Sequence, residues 1–113
     1  FLGTHIKSCS NMLDDKFSND ENVLKEQIKN LNEEKIALIN KSKKDELEST
    51  IEKIAGEGDS TGGVLETAIV GLPAGIGEPW FDSVEGRIAN AMLSIGGIKG
   101  IEFVKFVFSI TWL

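Results

Sequence analysis

Apolar and polar positions recur along this chain with two different periods, and the change of period divides it. In Leu2-Gly3-Thr4-His5-Ile6-Lys7-Ser8-Cys9, Thr4, Ile6 and Ser8 alternate with His5, Lys7 and Cys9, the two-residue period of a strand over 2–9. Ile6 is its only strong apolar anchor. Residues 10–58 are rich in Asn, Asp, Glu and Lys. There Leu24, Ile28, Leu31, Leu38 and Ile39 recur at helical spacing, and Leu47, Ile51, Ile54 and Ala55 continue the pattern. This predicts a helical insertion over 20–55, made of two amphipathic helices at about 20–40 and 44–55 with a break near Ser42. Asp20 is positioned to cap the first, and Gly56-Glu57-Gly58 ends the second. The heptads are not sustained, so these helices read as a cover for a sheet rather than as a coiled-coil partner.

From residue 59 glycines crowd in and charges thin out. Val64, Glu66, Ala68 and Val70 alternate with Leu65, Thr67, Ile69 and Gly71, which suits a strand buried on at least one face. Pro73-Ala74-Gly75-Ile76-Gly77-Glu78-Pro79 is a loop between two proline stops. Asp82-Ser83-Val84-Glu85 has the form of a capping box. Phe81, Val84, Ile88, Ala91, Met92 and Ile95 then share one helical face, ended by Gly96-Gly97. Ile98 to Phe103 reads as the next strand. The pattern over 59–103 is thus strand, helix, strand, and the whole reads as a single small α+β domain. The divergent apolar tail 104–113 carries one charge and no proline. As an unpaired edge strand it would drive self-association, and cutting at Phe103 would raise solubility.

Composition narrows the function classes. The 113 residues, 41% apolar and 27% charged, suffice for one domain and not for two. No apolar run reaches the ~20 residues of a membrane helix. A net charge of −6 argues against nucleic acid and against an anionic membrane surface as partner. Cys9 and His5 are the only residues of their kinds. One thiol forms no intramolecular disulfide, which fits a reducing compartment, and one Cys with one His makes no zinc site. No signal peptide is visible, and a chain opening on Phe1 rather than Met is expected to lack its true beginning.

Candidate chemistry is sparse. Gly58-Asp59-Ser60-Thr61-Gly62-Gly63 approaches the serine-protease nucleophile signature but has one residue too many. A nucleophile also needs a base in reach, and His5 lies in an ordinary strand. A tight turn, with Asp59 and Ser60 capping backbone N–H groups, accounts for it better. Gly75-Ile76-Gly77 is too short for a dinucleotide fingerprint. His5 reads as a surface or core histidine, Trp80 and Phe81 as core anchors, and Cys9 as a small apolar residue.

The order of residues carries more. Gly58-Asp59-Ser60-Thr61-Gly62-Gly63, then Gly71-Leu72-Pro73-Ala74-Gly75-Ile76-Gly77-Glu78-Pro79-Trp80-Phe81-Asp82, then Ser94-Ile95-Gly96-Gly97-Ile98-Lys99-Gly100-Ile101-Glu102 occur in sequence. Together they resemble chorismate synthase, whose pattern is G-D-S-x-G-G, G-x-P-x-G-x-G-E-P-x-F-D and S-I-x-x-x-K-G-x-E. Thr4-His5-Ile6-Lys7-Ser8 stands where the family has S-H-(V/I)-x-S. The resemblance implies part of a β-α-β sandwich with antiparallel strands and a cytoplasmic lyase of the shikimate pathway, serving aromatic amino acid biosynthesis. That enzyme converts 5-enolpyruvylshikimate 3-phosphate to chorismate and phosphate. It requires reduced FMN without net redox change and usually assembles as a tetramer, so a homo-oligomer is expected.

By the same resemblance Gly96 and Gly97 contact the flavin; by residue pattern alone they are a helix C-cap. The family's G-E-S-H-G and R-P-G-H-A-D segments, with its catalytic histidines, are absent, as are its Arg-rich segment and C-terminal flavin loop. The only arginine is Arg87. After Phe103 the family continues G-x-G-F, whereas this chain reads Val104-Lys105-Phe106-Val107, the pattern of a shifted reading frame. The expectation is an internal fragment, inactive alone, with no catalytic and no metal-binding residue of its own. The alternative is a non-catalytic binding or assembly module that keeps the family's central fold.

Overall fold

A computed structural model describes residues 1–105 and 107–112. In chain order the elements are β1 (Leu2–Cys9), β2 (Met12–Leu13), α1 (Glu21–Asn32), α2 (Lys44–Gly56), β3 (Gly63–Ile69), α3 (Val84–Leu93), β4 (Ile98–Val104) and β5 (Val107–Trp112). Single 3-10 turns at Lys41–Lys43 and Trp80–Asp82 lead into α2 and α3. The strands form one antiparallel sheet in the order β2-β1-β3-β5-β4. The α+β class is as the residue pattern predicts, and the antiparallel strands are as the family resemblance implies.

Register turns the sequence alternation into two faces. Thr4, Thr67, Phe108 and Phe103 lie in one row across the sheet, and Ile6, Leu65, Ile110 and Ile101 in another. Both rows point to the same side, because positions two apart share a face. The row between them, His5, Glu66, Ser109 and Glu102, and the row beyond Thr4, Gly3, Ala68 and Val107, are on the other side. The Gly3 face receives α1, whose Leu24, Ile28 and Leu31 are buried. Leu24 and Ile28 pack with Ala68 and Val70 in one core cluster, joined by Phe17 and Val107. A Cβ on Gly3 would sit 2.8 Å from Ile28 Cγ2 and 3.1 Å from its Cα, so the absence of a side chain is what lets helix and strand touch. A second cluster joins Cys9, Met12, Leu38 and Leu47 at the β2 end of the sheet.

The first helix begins where predicted: Asp20 accepts hydrogen bonds from the backbone N–H groups of Asn22 and Val23. It ends at Asn32 rather than near residue 40. Continuing the Leu24-Ile28-Leu31 stripe would bring Glu34 and Lys35 onto the buried face, and the chain leaves the helix there. Residues 33–40 instead form a strap along β1, with the Ile6 N–H donating to the Ala37 carbonyl at 2.8 Å. Leu38 keeps its core position by a route other than a helix. The end of α2 is a Schellman turn at Gly58 (φ 71°), with Asp59 N–H on the Ile54 carbonyl and Gly58 N–H on that of Ala55.

Two further expectations are corrected. Trp80 and Phe81 are 86% and 90% exposed, not core anchors. The cap of α3 is Ser83, whose side chain accepts from Gly86 N–H, and not Asp82. Phe81 therefore lies outside the helix, in the 3-10 turn that precedes it. The tail is no unpaired edge either. As β5 it hydrogen-bonds to β3 on one side and β4 on the other, with Phe108 and Ile110 buried.

Removal of β5 would leave β3 and β4 with facing unpaired edges and uncover the two apolar rows. A chain truncated after Phe103 is expected to lose cooperative unfolding and to aggregate more than the full chain. Thermal denaturation followed by near-UV circular dichroism checks this. A truncated chain with an undiminished transition would show β5 to be dispensable.

Candidate functional site

The polar row on the α1 face holds the most concentrated chemistry of the described residues. Strand β1 brings His5, the exit of β2 brings Asp14, and β3 brings Glu66. Imidazole Nδ1 lies 2.7 Å from Asp14 Oδ2, and Nε2 lies 3.2 Å from Glu66 Oε1. Both ring nitrogens thus lie within hydrogen-bond distance of a carboxylate oxygen. The side chains of His5 and Asp14 are fully buried, and Glu66 is 12% exposed. Phe17 meets the imidazole edge-on, with ring centroids 4.6 Å apart.

Each carboxylate has further partners. Asp14 accepts from the backbone N–H groups of Ile39 at 2.6 Å, Asn40 at 2.9 Å and Asp15 at 2.8 Å. Its own N–H donates to the Lys7 carbonyl at 3.0 Å. Glu66 Oε2 pairs with Lys7 Nζ at 3.0 Å and accepts from Ser109 Oγ at 3.4 Å. Burial alone would raise both carboxyl pKa values. The N–H donors of Asn40 and Ile39, with His5, reverse that for Asp14, and Lys7 with His5 reverse it for Glu66, so both end below their ordinary values.

Chemically this is a clasp rather than an exposed acid–base pair. The imidazole has no free nitrogen and no access to solvent, so no substrate atom reaches it. Glu66 alone opens outward, into a groove of about 680 Å³ that Lys7, Lys16, Phe17, Glu102 and Ser109 also line. Sequence pattern placed His5 as a surface or core histidine, and it is in the core. It overlooked Asp14 and Glu66. The available signal was Glu66 itself, a charge on the face of β3 that otherwise carries Val64 and Ala68.

Gly96 and Gly97 lie elsewhere, at the exposed turn from α3 into β4. Gly97 has φ 91°, a conformation L residues rarely adopt, and Ile98 N–H closes the turn on the Ile95 carbonyl at 3.2 Å. A Cβ on Gly96 would meet no atom within 4 Å. Neither glycine touches the His5 clasp or its groove. Arg87 pairs with Asp82 at 3.1 Å on the surface. Asp59 accepts from Ser60 N–H at 2.8 Å, the turn role expected of it. Cys9 is buried, which pushes its thiol pKa up and makes it a packing residue. Among the described residues no group of His, Cys, Asp and Glu is placed to hold a metal ion, and no helix is long and apolar enough to cross a membrane.

The three blocks that resemble one family thus occupy the α2–β3 turn, the loop before α3, and the α3–β4 turn. The family model described as chorismate synthase matches residues 2–107. The chain belongs to the chorismate synthase family. It is 44% identical over 84 residues to a chorismate synthase of Acetivibrio thermocellus, a match covering 74% of this chain and 21% of that protein. It is 54% identical over 56 residues to one of Chitinophaga pinensis, covering 50% and 17%. A solved chorismate synthase structure superposes with a TM-score of 0.79 at 21% identity, over 99% of this chain and 48% of the other, which shows the fold. The chain spans about a fifth of the length of the first of these relatives.

The clasp makes stability depend on acid. Asp14 and Glu66 titrate below their ordinary values when folded, and return to about 3.9 and 4.3 on unfolding. Their contribution is complete above the unfolded values and is lost as pH falls through the folded ones. Urea midpoints are expected to hold between about pH 7 and 5 and to drop below about 4. Asp14→Ala, which strands His5 and the part-buried N–H groups of Ile39 and Asn40, should cost about 3–5 kcal/mol at neutral pH. An unchanged midpoint in that variant would defeat the clasp.

Proposed function

We propose that this chain is part of a chorismate synthase, a cytoplasmic lyase that eliminates phosphate from 5-enolpyruvylshikimate 3-phosphate to give chorismate. What carries the proposal is the run of three family blocks, in order, through the connections that bracket β3, α3 and β4. The substrate, the homo-oligomeric assembly and reduced FMN come with that proposal. When bound, the reduced flavin supplies a transient electron to a reaction with no net redox change. This chain's contribution is the α3–β4 turn. Gly96 leaves open space over the backbone, where a planar ring edge has access. The phosphate of FMN finds less: Lys99 is the only cation in residues 94–100. The residues present therefore fit the edge of the ring and not the whole cofactor.

Without the family's histidine segments the chain alone is expected to form no chorismate. General acid–base groups supply about 10²–10⁴-fold of rate, and no exposed histidine is present to act as one. An anaerobic assay with reduced FMN checks this, and chorismate formed at a rate typical of the family would overturn it. For the flavin edge, Gly96→Val is the informative variant, because a side chain there disturbs no packing. It should weaken FMN binding, read by flavin fluorescence, while leaving the melting transition in place. A second role, as a non-catalytic assembly module, draws support from the exposed Leu72, Ile76, Trp80 and Phe81. Flavin fluorescence that the chain leaves unperturbed would favour it.

A further inference from the structure

On the face of the sheet opposite α1 there is a cavity of about 340 Å³, bounded by the loop after β3, the first turns of α3 and the β4–β5 end of the sheet. Its walls include Ile69, Leu72, Ile88, Phe103 and Phe108. Phe103 and Phe108 form a tilted aromatic pair, with centroids 5.9 Å apart. Two charged residues border it, Glu85 in the first turn of α3 and Lys105 at the β4–β5 turn, and both are solvent-exposed. Neither takes part in an ion pair among the described residues. The cavity contains no member of the His5 clasp and neither Gly96 nor Gly97, although Gly71, Lys105 and Val107 also line the groove beside Glu66.

We propose that this cavity binds a small aromatic zwitterion, with its ring against Phe103 and Phe108 and its charged end between Lys105 and Glu85. Three features select that class. The volume lies at the lower end of the ~300–1,000 Å³ typical of small-molecule sites. An aromatic pair in the wall favours a third ring in edge or offset contact over a flexible alkyl chain. One cation and one anion at the rim match a carboxylate and an ammonium carried together; a purely anionic or purely cationic ligand would meet one repulsive neighbour. The ligand would act as an effector or as a stabiliser of the α3 packing, because no nucleophile or free imidazole lines the cavity.

The test uses the full chain and three probes that share one ring: free phenylalanine, 3-phenylpropionate lacking the ammonium, and phenethylamine lacking the carboxylate. Calorimetric titration should give saturable binding of phenylalanine at about millimolar affinity, with each one-charge probe weaker. Lys105→Met should lower affinity about three- to fivefold for phenylalanine and phenylpropionate, and leave phenethylamine unchanged or improved. Glu85→Gln should do the reverse. Ile88→Trp, which fills the cavity, should abolish all three. The charge variants alter exposed side chains and keep the fold, so they decide the matter even if Ile88→Trp unfolds. No saturable binding up to about 10 mM overturns the site. Binding that ignores both charge variants overturns the zwitterion.

Discussion

The carboxylate of Asp14 is the constraint on which much of the molecule depends. It lies just after the short strand β2, yet it fixes three other parts of the chain. Through Ile39 and Asn40 it anchors the end of the strap that leads to α2. Through His5 it reaches β1, and through His5 again it reaches Glu66 on β3. Replacing such a network by apolar groups can be neutral or stabilising, whereas removing one member leaves the others buried and unpaired. Its role is therefore to set positions: it determines which residues of a polar, irregular segment lie over the edge of the sheet.

The two core clusters explain why this matters. One, around Leu24, Ile28, Ala68 and Val70, is made by a regular helix on a regular strand pair. The other, around Cys9, Met12, Leu38 and Leu47, is assembled from a strand end, a two-residue strand, a strap and a helix. Apolar burial brings such pieces together without fixing their directions. The hydrogen bonds of Asp14 supply the direction, and so Leu38 reaches the interior from a segment that has no repeating backbone pattern of its own.

Much of this was legible beforehand, and the failures have physical causes. The strand over 2–9, the start of α1, the end of α2 and the β4 strand follow from alternation, a capping aspartate and glycines. The over-long first helix arose because Leu38 and Ile39 keep helical spacing by coincidence; Glu34 and Lys35 between them carried the contrary signal. Hydrophobicity alone places Trp80 and Phe81 inside, but it does not tell whether a partner surface is present. The tail was recognised as strand-forming, but its neighbours were not, since nothing local says that β5 enters between β3 and β4. The clasp was half visible: His5 stood out as the single histidine, whereas its two carboxylates were lost among 18 acidic residues. The Gly96-Gly97 turn was legible both as a C-cap and through the family pattern.

The place of β5 also orders the events of folding. Strand β4 meets the sheet only through β5, and the two are joined by a short connection, so they can pair locally on the microsecond scale of a hairpin. The pairing of β1 with β3 is of another kind, because Cys9 meets Gly63 across the whole charged insertion. Closing that loop is the slow, entropically costly step, and contacts of this range dominate folding times. Its cost grows only logarithmically, by about 0.6 kcal/mol for each doubling of loop length. Extra residues in an exposed connection of the segment between residues 10 and 62, such as the turn from α2 into β3, therefore have little thermodynamic consequence, while the kinetics of closure registers the change.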